Sequence, residues 1–211
     1  MSQKQSVLDH HGFTVVELMI ATLVFTTTLM VITAGVISFS KDYYKGTTSA
    51  SVQDTARNTI DTVSQAIQFS TSEVIDDGSS VVCAGGYIFK YGLAKATAET
   101  AGGITMERLT DASRCDSGEA TVGVKQKLIP EGMRLLVLRA EGSGSGPYVV
   151  RVGVAKGDAD LFCADGTRCG AMSESELQTA ITAGEKLSCN GGAGSQFCYV
   201  SYLETIVTKR M

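Results

Sequence analysis

The chain has 211 residues, 44% apolar and 19% charged, a size and balance suited to one globular domain with or without an appendage. They do not suit a disordered, collagen-like or wholly coiled-coil chain. Eighteen Lys and Arg against 22 Asp and Glu leave a net charge of -4, so no basic surplus points to nucleic acid as a partner.

The first twelve residues, MSQKQSVLDHHG, are polar and hold Lys4 together with His10 and His11, the two histidines of the chain. Phe13 to Phe39 then reads FTVVELMIATLVFTTTLMVITAGVISF, 27 residues with a single charge, Glu17. As a helix rising 1.5 Å per residue this run spans about 40 Å, against a bilayer hydrocarbon core of about 30 Å. A secretory signal has a shorter apolar core of roughly 7 to 15 residues followed by a small-residue cut site. A cut after Thr33-Ala34-Gly35 is the competing reading of the same run. Lys4 gives a weak positive-inside signal, which keeps the amino terminus cytoplasmic and places everything after residue 40 outside. Six cysteines follow, Cys83, Cys115, Cys163, Cys169, Cys189 and Cys198, with no CxxC spacing, and an oxidising compartment favours disulfides over metal. An ionised Glu17 in such a helix costs roughly 2.5 to 3.5 kcal/mol near the bilayer centre and less towards an end. Either it snorkels to the interface or a partner charge compensates it.

Gly12-Phe13-Thr14-Val15-Val16-Glu17-Leu18 resembles the signature of type IV prepilins and type II secretion pseudopilins, a short polar leader ending in Gly before Phe-Thr-x-x-Glu-Leu and an apolar helix. The resemblance covers about 30 residues. It implies that a prepilin peptidase on the cytoplasmic side cuts between Gly12 and Phe13 and that Phe13 is then N-methylated. Glycine before the cut leaves the scissile backbone unobstructed. Glu17, fifth in the mature chain, would neutralise the cationic amine of a neighbouring subunit in a packed filament. The same apolar residues would serve first as membrane anchor and then as filament core. Implied partners are other pilins or pseudopilins, the prepilin peptidase, an inner-membrane assembly platform and, before assembly, the membrane. Removal of the leader takes both histidines with it and leaves the net charge at -4, so histidine-based catalysis and histidine metal sites fall away.

Residues 41–70 place Val52, Ala56, Ile60, Val63 and Ile67 at spacings of 4, 4, 3 and 4, one apolar stripe of a helix. Asp54, Arg57 and Asp61 fall on its solvated face. Gly46 is a candidate kink in one long helix. Beyond residue 70 the chain is glycine-rich, and strands are predicted over 79–90, 120–129, 133–140, 147–156 and 197–208. The third and fourth form a hairpin through Glu141-Gly-Ser-Gly-Ser-Gly146, restarted by Pro147, and are expected at the sheet centre. A short peripheral helix starts at Ser173, capped by a box with Glu176. A helix packed on an antiparallel sheet is the economical arrangement, so the fold class is α+β, as the resemblance also implies. The organisation reads as a leader, 1–12, a membrane or filament-core helix, 13–40, an amphipathic helix, 41–70, and an extracytoplasmic β-rich domain, 71–211.

Six cysteines permit fifteen pairings. Proximity favours Cys163 with Cys169 and Cys189 with Cys198, leaving Cys83 with Cys115, bridges that substitute for a local core in polar, glycine-rich loops. Cys189 and Cys198 also resemble the carboxy-terminal pair that encloses a variable loop in many pilins. Asp158, Asp160 and Asp165 are hard oxygen ligands on one loop, a weak calcium candidate without the EF-hand ligand order; a solvated acidic turn is the alternative, and no other cofactor is indicated. Tyr43, Tyr44, Tyr199 and Tyr202 are candidates for adhesive contacts or for packing, with packing preferred for Tyr202. The expected function is a structural filament subunit without enzymatic activity, of the minor, tip- or initiation-type kind, in a pilus serving adhesion, twitching motility or DNA uptake, or in a secretion pseudopilus. The alternative is a single-pass anchored extracytoplasmic binding domain outside that system.

Overall fold

The computed structural model describes residues 14–71, 73–78, 80–93, 103–110, 121–144, 146–164, 166, 168–169 and 172–210. The first element is a single helix, α1, Val15–Gln68, which runs through Gly46 without interruption. The chain divides into two compact units, and the boundary falls between Asp42 and Tyr43. In the second unit the predicted stripe is the buried face of α1: Val52, Ala56, Val63 and Ile67 are fully buried and Ile60 nearly so. Asp54, Arg57 and Asp61 lie exposed on the opposite side.

The strands are β1, Ile75–Asp76, β2, Val81–Ala84, β3, Tyr87–Gly92, β4, Gly103–Leu109, β5, Thr121–Lys127, β6, Met133–Glu141, and β7, Tyr148–Lys156. They continue with β8, Phe162–Ala164, β9, Arg168–Cys169, then helix α2, Glu174–Thr182, followed by β10, Leu187–Cys189, and β11, Tyr199–Val207. The expectation of one sheet is corrected, among the described residues, to three antiparallel sheets: β1 to β5 in chain order, β11-β7-β6, and β10-β8-β9. The predicted strand 79–90 is two strands, because Gly85 and Gly86 have φ of 59° and 78° and turn the chain between β2 and β3. The hairpin through residues 142–147 forms as expected, joining β6 to β7, but only β7 is central; β6 stands at the edge of its sheet. The α+β class holds.

Alternation along β7 divides the core. Val150, Val152 and Val154 join the α1 stripe, with Leu135 and Leu138 of β6, in the main apolar cluster. The opposite face contributes Ala155, which joins Leu136, Phe162, Leu177, Ala180, Ile181 and Leu187 in a second cluster. The second unit therefore has a sheet covered by a helix on each face. Helix α2, expected to be peripheral, supplies a fully buried Leu177 to that second cluster.

The predicted capping box fixes where α2 starts: Glu176 N donates to Ser173 Oγ at 3.3 Å, and Ser173 N donates to Glu176 Oε2 at 2.8 Å. Arg134, 5% exposed, ties the helix to β6, its Nη1 and Nη2 donating to the two Glu174 carboxylate oxygens at 2.6 Å each while its Nε donates to the Gly157 carbonyl at 3.2 Å. Glu174 is largely exposed, so solvent screens the pair and Glu174→Gln is expected to cost only about 1 kcal/mol. A small drop in the urea midpoint at unchanged slope is the measurement; no change in midpoint would remove Arg134–Glu174 from what holds α2.

Two of the proposed disulfides form, Cys163–Cys169 across β8 and β9 and Cys189–Cys198 across the loop before β11. Cys83 is also disulfide-bonded, and Cys115 lies outside the described residues.

Candidate functional site

Gly12 and Phe13 lie outside the described residues, and the first side chains on view are those of the turn that opens α1. Thr14 precedes the helix. Its backbone N and its Oγ1 donate to Glu17 Oε2 at 2.9 and 2.8 Å, and Glu17 N donates back to Thr14 Oγ1 at 3.3 Å. This is a reciprocal amino-terminal cap built from Thr-x-x-Glu, which satisfies donors that a helix otherwise leaves open. The spacing was legible in the sequence, but reading Glu17 only as a membrane charge in need of compensation passes over it. Capping uses one carboxylate oxygen and leaves the net negative charge in place.

From Val15 to Thr47 no residue of α1 is buried, and large apolar side chains such as Leu23, Phe25, Met30 and Ile37 are exposed around the helix. A helix apolar on all sides needs an apolar surrounding. Its hydroxyls are adapted to one. Thr22, Thr26, Thr27, Thr28 and Thr33 each donate to a carbonyl three or four residues back, at 2.8 to 3.1 Å, and Ser40 does the same to Val36 at 2.8 Å. These bonds remove the cost of placing hydroxyls in a medium without water. By length and composition α1 is the one helix among the described residues able to cross a membrane.

The second unit carries a cavity of about 830 Å³ between the β6-β7-β11 sheet and the end of α2. Its polar floor is already paired. Arg151 donates to Glu204 at 2.6 Å and Glu141 at 2.9 Å, and Arg139 faces Asp76 at 3.8 Å. Asp76 in turn accepts from Ala140 N at 2.9 Å, joining β1 to β6. Tyr202 packs, as preferred: its ring covers Gly153, where an added Cβ would meet it at 2.8 Å, and its OH accepts from Leu187 N at 3.0 Å. Tyr199 OH accepts from Gln53 Nε2 at 2.7 Å. Tyr43 and Tyr44 remain exposed on α1.

Next to this floor, Tyr91 is buried beside Asp76 and Arg139, and burial, then the charge of Asp76, push its phenol up to about 12 against the opposing pull of Arg139. Below pH 10 the phenol is neutral folded or unfolded; between 10 and about 12 only the unfolded chain loses the proton, so Tyr91 makes stability fall as pH rises through that window. A phenolate titration at 295 nm is expected to show a last step that Tyr91→Phe abolishes. A step that survives in Tyr91→Phe would contradict this assignment.

Asp158 is the N-cap residue of a short 3-10 turn, Ala159–Leu161, that contains Asp160, both are exposed, and Asp165 lies outside the described residues. Among the described residues no group of three or more His, Cys, Asp or Glu is placed to hold a metal ion.

No family model, no curated protein and no solved structure matches this chain.

Proposed function

We propose that the chain is a structural subunit, of the minor, tip- or initiation-type kind, of a type IV pilus or a type II secretion pseudopilus. The observation that carries this reading is the motif Gly12-Phe13-Thr14-Val15-Val16-Glu17-Leu18 at the head of a helix whose apolar side chains are exposed on every side from Val15 to Phe39. In this reading the prepilin peptidase removes residues 1–12, Phe13 is methylated, and α1 holds the subunit in the inner membrane until it passes into a filament. The surrounding of α1 changes from lipid to other subunits, and both are apolar. The disulfide-bearing second unit stands outside the cytoplasm, and the chain itself carries out no catalysis.

The cavity over β6, β7 and β11 favours the second reading, a single-pass anchored binding domain that keeps its leader. The position of the mature amino terminus separates the two.

A further inference from the structure

Three exposed aromatic residues of the second unit, Tyr43, Tyr44 and Phe197, are gathered where the chain enters it, whereas exposed Phe69 follows the far end of α1 and half-exposed Tyr202 covers Gly153. Tyr44 lies 5.7 Å, centroid to centroid, from Phe197, and Tyr43 lies edge-on to Tyr44 at 6.2 Å. All three are about half exposed or more. Phe197 is brought there by the Cys189–Cys198 bridge and a short 3-10 turn, Ser195–Phe197, from a loop reading CNGGAGSQFC that has no charged residue. Tyr43 is four residues beyond Phe39, the end of the apolar run, and Lys41 and Lys45 flank the two tyrosines.

We propose that Tyr43, Tyr44 and Phe197, with the uncharged Cys189–Cys198 loop, form a surface that sits in the phospholipid headgroup layer while the chain is anchored. Aromatic rings with an apolar body and a polar edge concentrate at that layer, and lysines just outside a span reach its phosphates. A loop without charge avoids the large cost of desolvating an ion on entering it, and the hydrated headgroups still offer partners to its amides. The placement is asymmetric in the way this requires. Tyr199 bonds Gln53 near the start of the second unit's helix, whereas Arg210 N donates to the Gln68 carbonyl at its end, at 2.9 Å. Strand β11 thus leads away from the aromatic surface, and Ile206, exposed near its far end, is a distant reference point. The proposal rests on residues 13–40 being a membrane anchor.

The chain contains no tryptophan, so a single one reports its own surroundings. The full chain would be placed in phosphatidylcholine–phosphatidylglycerol vesicles carrying bromines either high or deep on the acyl chains, with Phe197→Trp, Tyr44→Trp, Ile206→Trp and Phe25→Trp compared. Phe197→Trp and Tyr44→Trp are expected to emit to the blue of Ile206→Trp and to lose most of their emission with the shallow bromines, and Phe25→Trp with the deep ones. Water-like, unquenched emission from both Phe197→Trp and Tyr44→Trp, beside a quenched Phe25→Trp, would overturn the proposal and leave the anchor standing. A blue shift without bromine quenching would assign the surface to contact between copies and equally overturn it. An unquenched Phe25→Trp would remove the anchor, and the proposal with it.

Discussion

Glu17→Gln is expected to leave the α1 cap and the second unit intact while cutting incorporation into filaments by about two orders of magnitude. Gln at the third helical position still accepts from Thr14 N, because a capping box needs only a side-chain oxygen at that distance. What the substitution removes is charge. In the filament reading the cationic amine of a neighbouring Phe13 then stays uncompensated in an apolar surrounding, at roughly 2.5 to 3.5 kcal/mol, and each 1.4 kcal/mol is a factor of ten. Glu17→Ala loses the cap as well, a further cost of about 1 kcal/mol, so the difference between the two variants isolates the local role from the intersubunit one. Immunoblots of sheared filaments against the membrane fraction read both. Wild-type incorporation of Glu17→Gln would show that capping is the whole of what Glu17 does.

The second large effect concerns the fold. Gly85→Ala is expected to destabilise the second unit by about 2 to 4 kcal/mol, from a strained positive φ together with overpacking. Gly85 has φ of 59°, and a Cβ built there would stand 2.5 Å from the backbone carbonyl oxygen of Ala66, an atom fixed inside α1. At this size each kcal/mol moves the thermal midpoint by about 2 to 4 °C, so a fall of about 5 to 15 °C is expected. Gly132→Ala is the control, since Gly132 has φ of 78° but nothing within 4 Å of an added Cβ. Near-ultraviolet circular dichroism of the full chain in detergent reads both midpoints. Equal shifts for the two variants would mean that the turn does not press on α1.

The parts of this fold that were legible in the sequence are those governed by one local rule. The α1 stripe follows from helical period alone, the start of α2 from Ser173 and Glu176, the β6–β7 hairpin from its glycine-rich turn, and the two close disulfides from proximity. The parts that were not legible depend on partners distant in the chain. Strand β4 escaped because the alternation Ile104-Thr105-Met106-Glu107 breaks at Arg108, where the pairing with β5 shifts register, and because its Glu107 carboxylate is buried, with Lys125 at 3.0 Å and Lys90 at 3.4 Å supplied by the strands on either side. The division of 79–90 into two strands depends on Gly85 and Gly86 adopting positive φ, with Gly85 close against α1, which composition does not announce. The burial of α2 depends on a sheet face that only the register of β6, β7 and β11 creates. At the candidate site the motif was legible residue by residue, whereas the capping role of Glu17 emerged once Thr14 was seen to face it. The cavity has no sequence signal, because its walls come from β6, β7, β11, α2 and three separate loop segments.

The filament reading is tested most directly by the amino terminus of the chain isolated from its native membrane. Intact mass and terminal sequencing would be done with the cognate prepilin peptidase present and again with it deleted. The reading predicts a methylated Phe13 terminus in the first case and an uncut leader in the second. A Met1 terminus despite an active peptidase would contradict it and leave the anchored binding domain, and a terminus near Val36 would make the protein a secreted one.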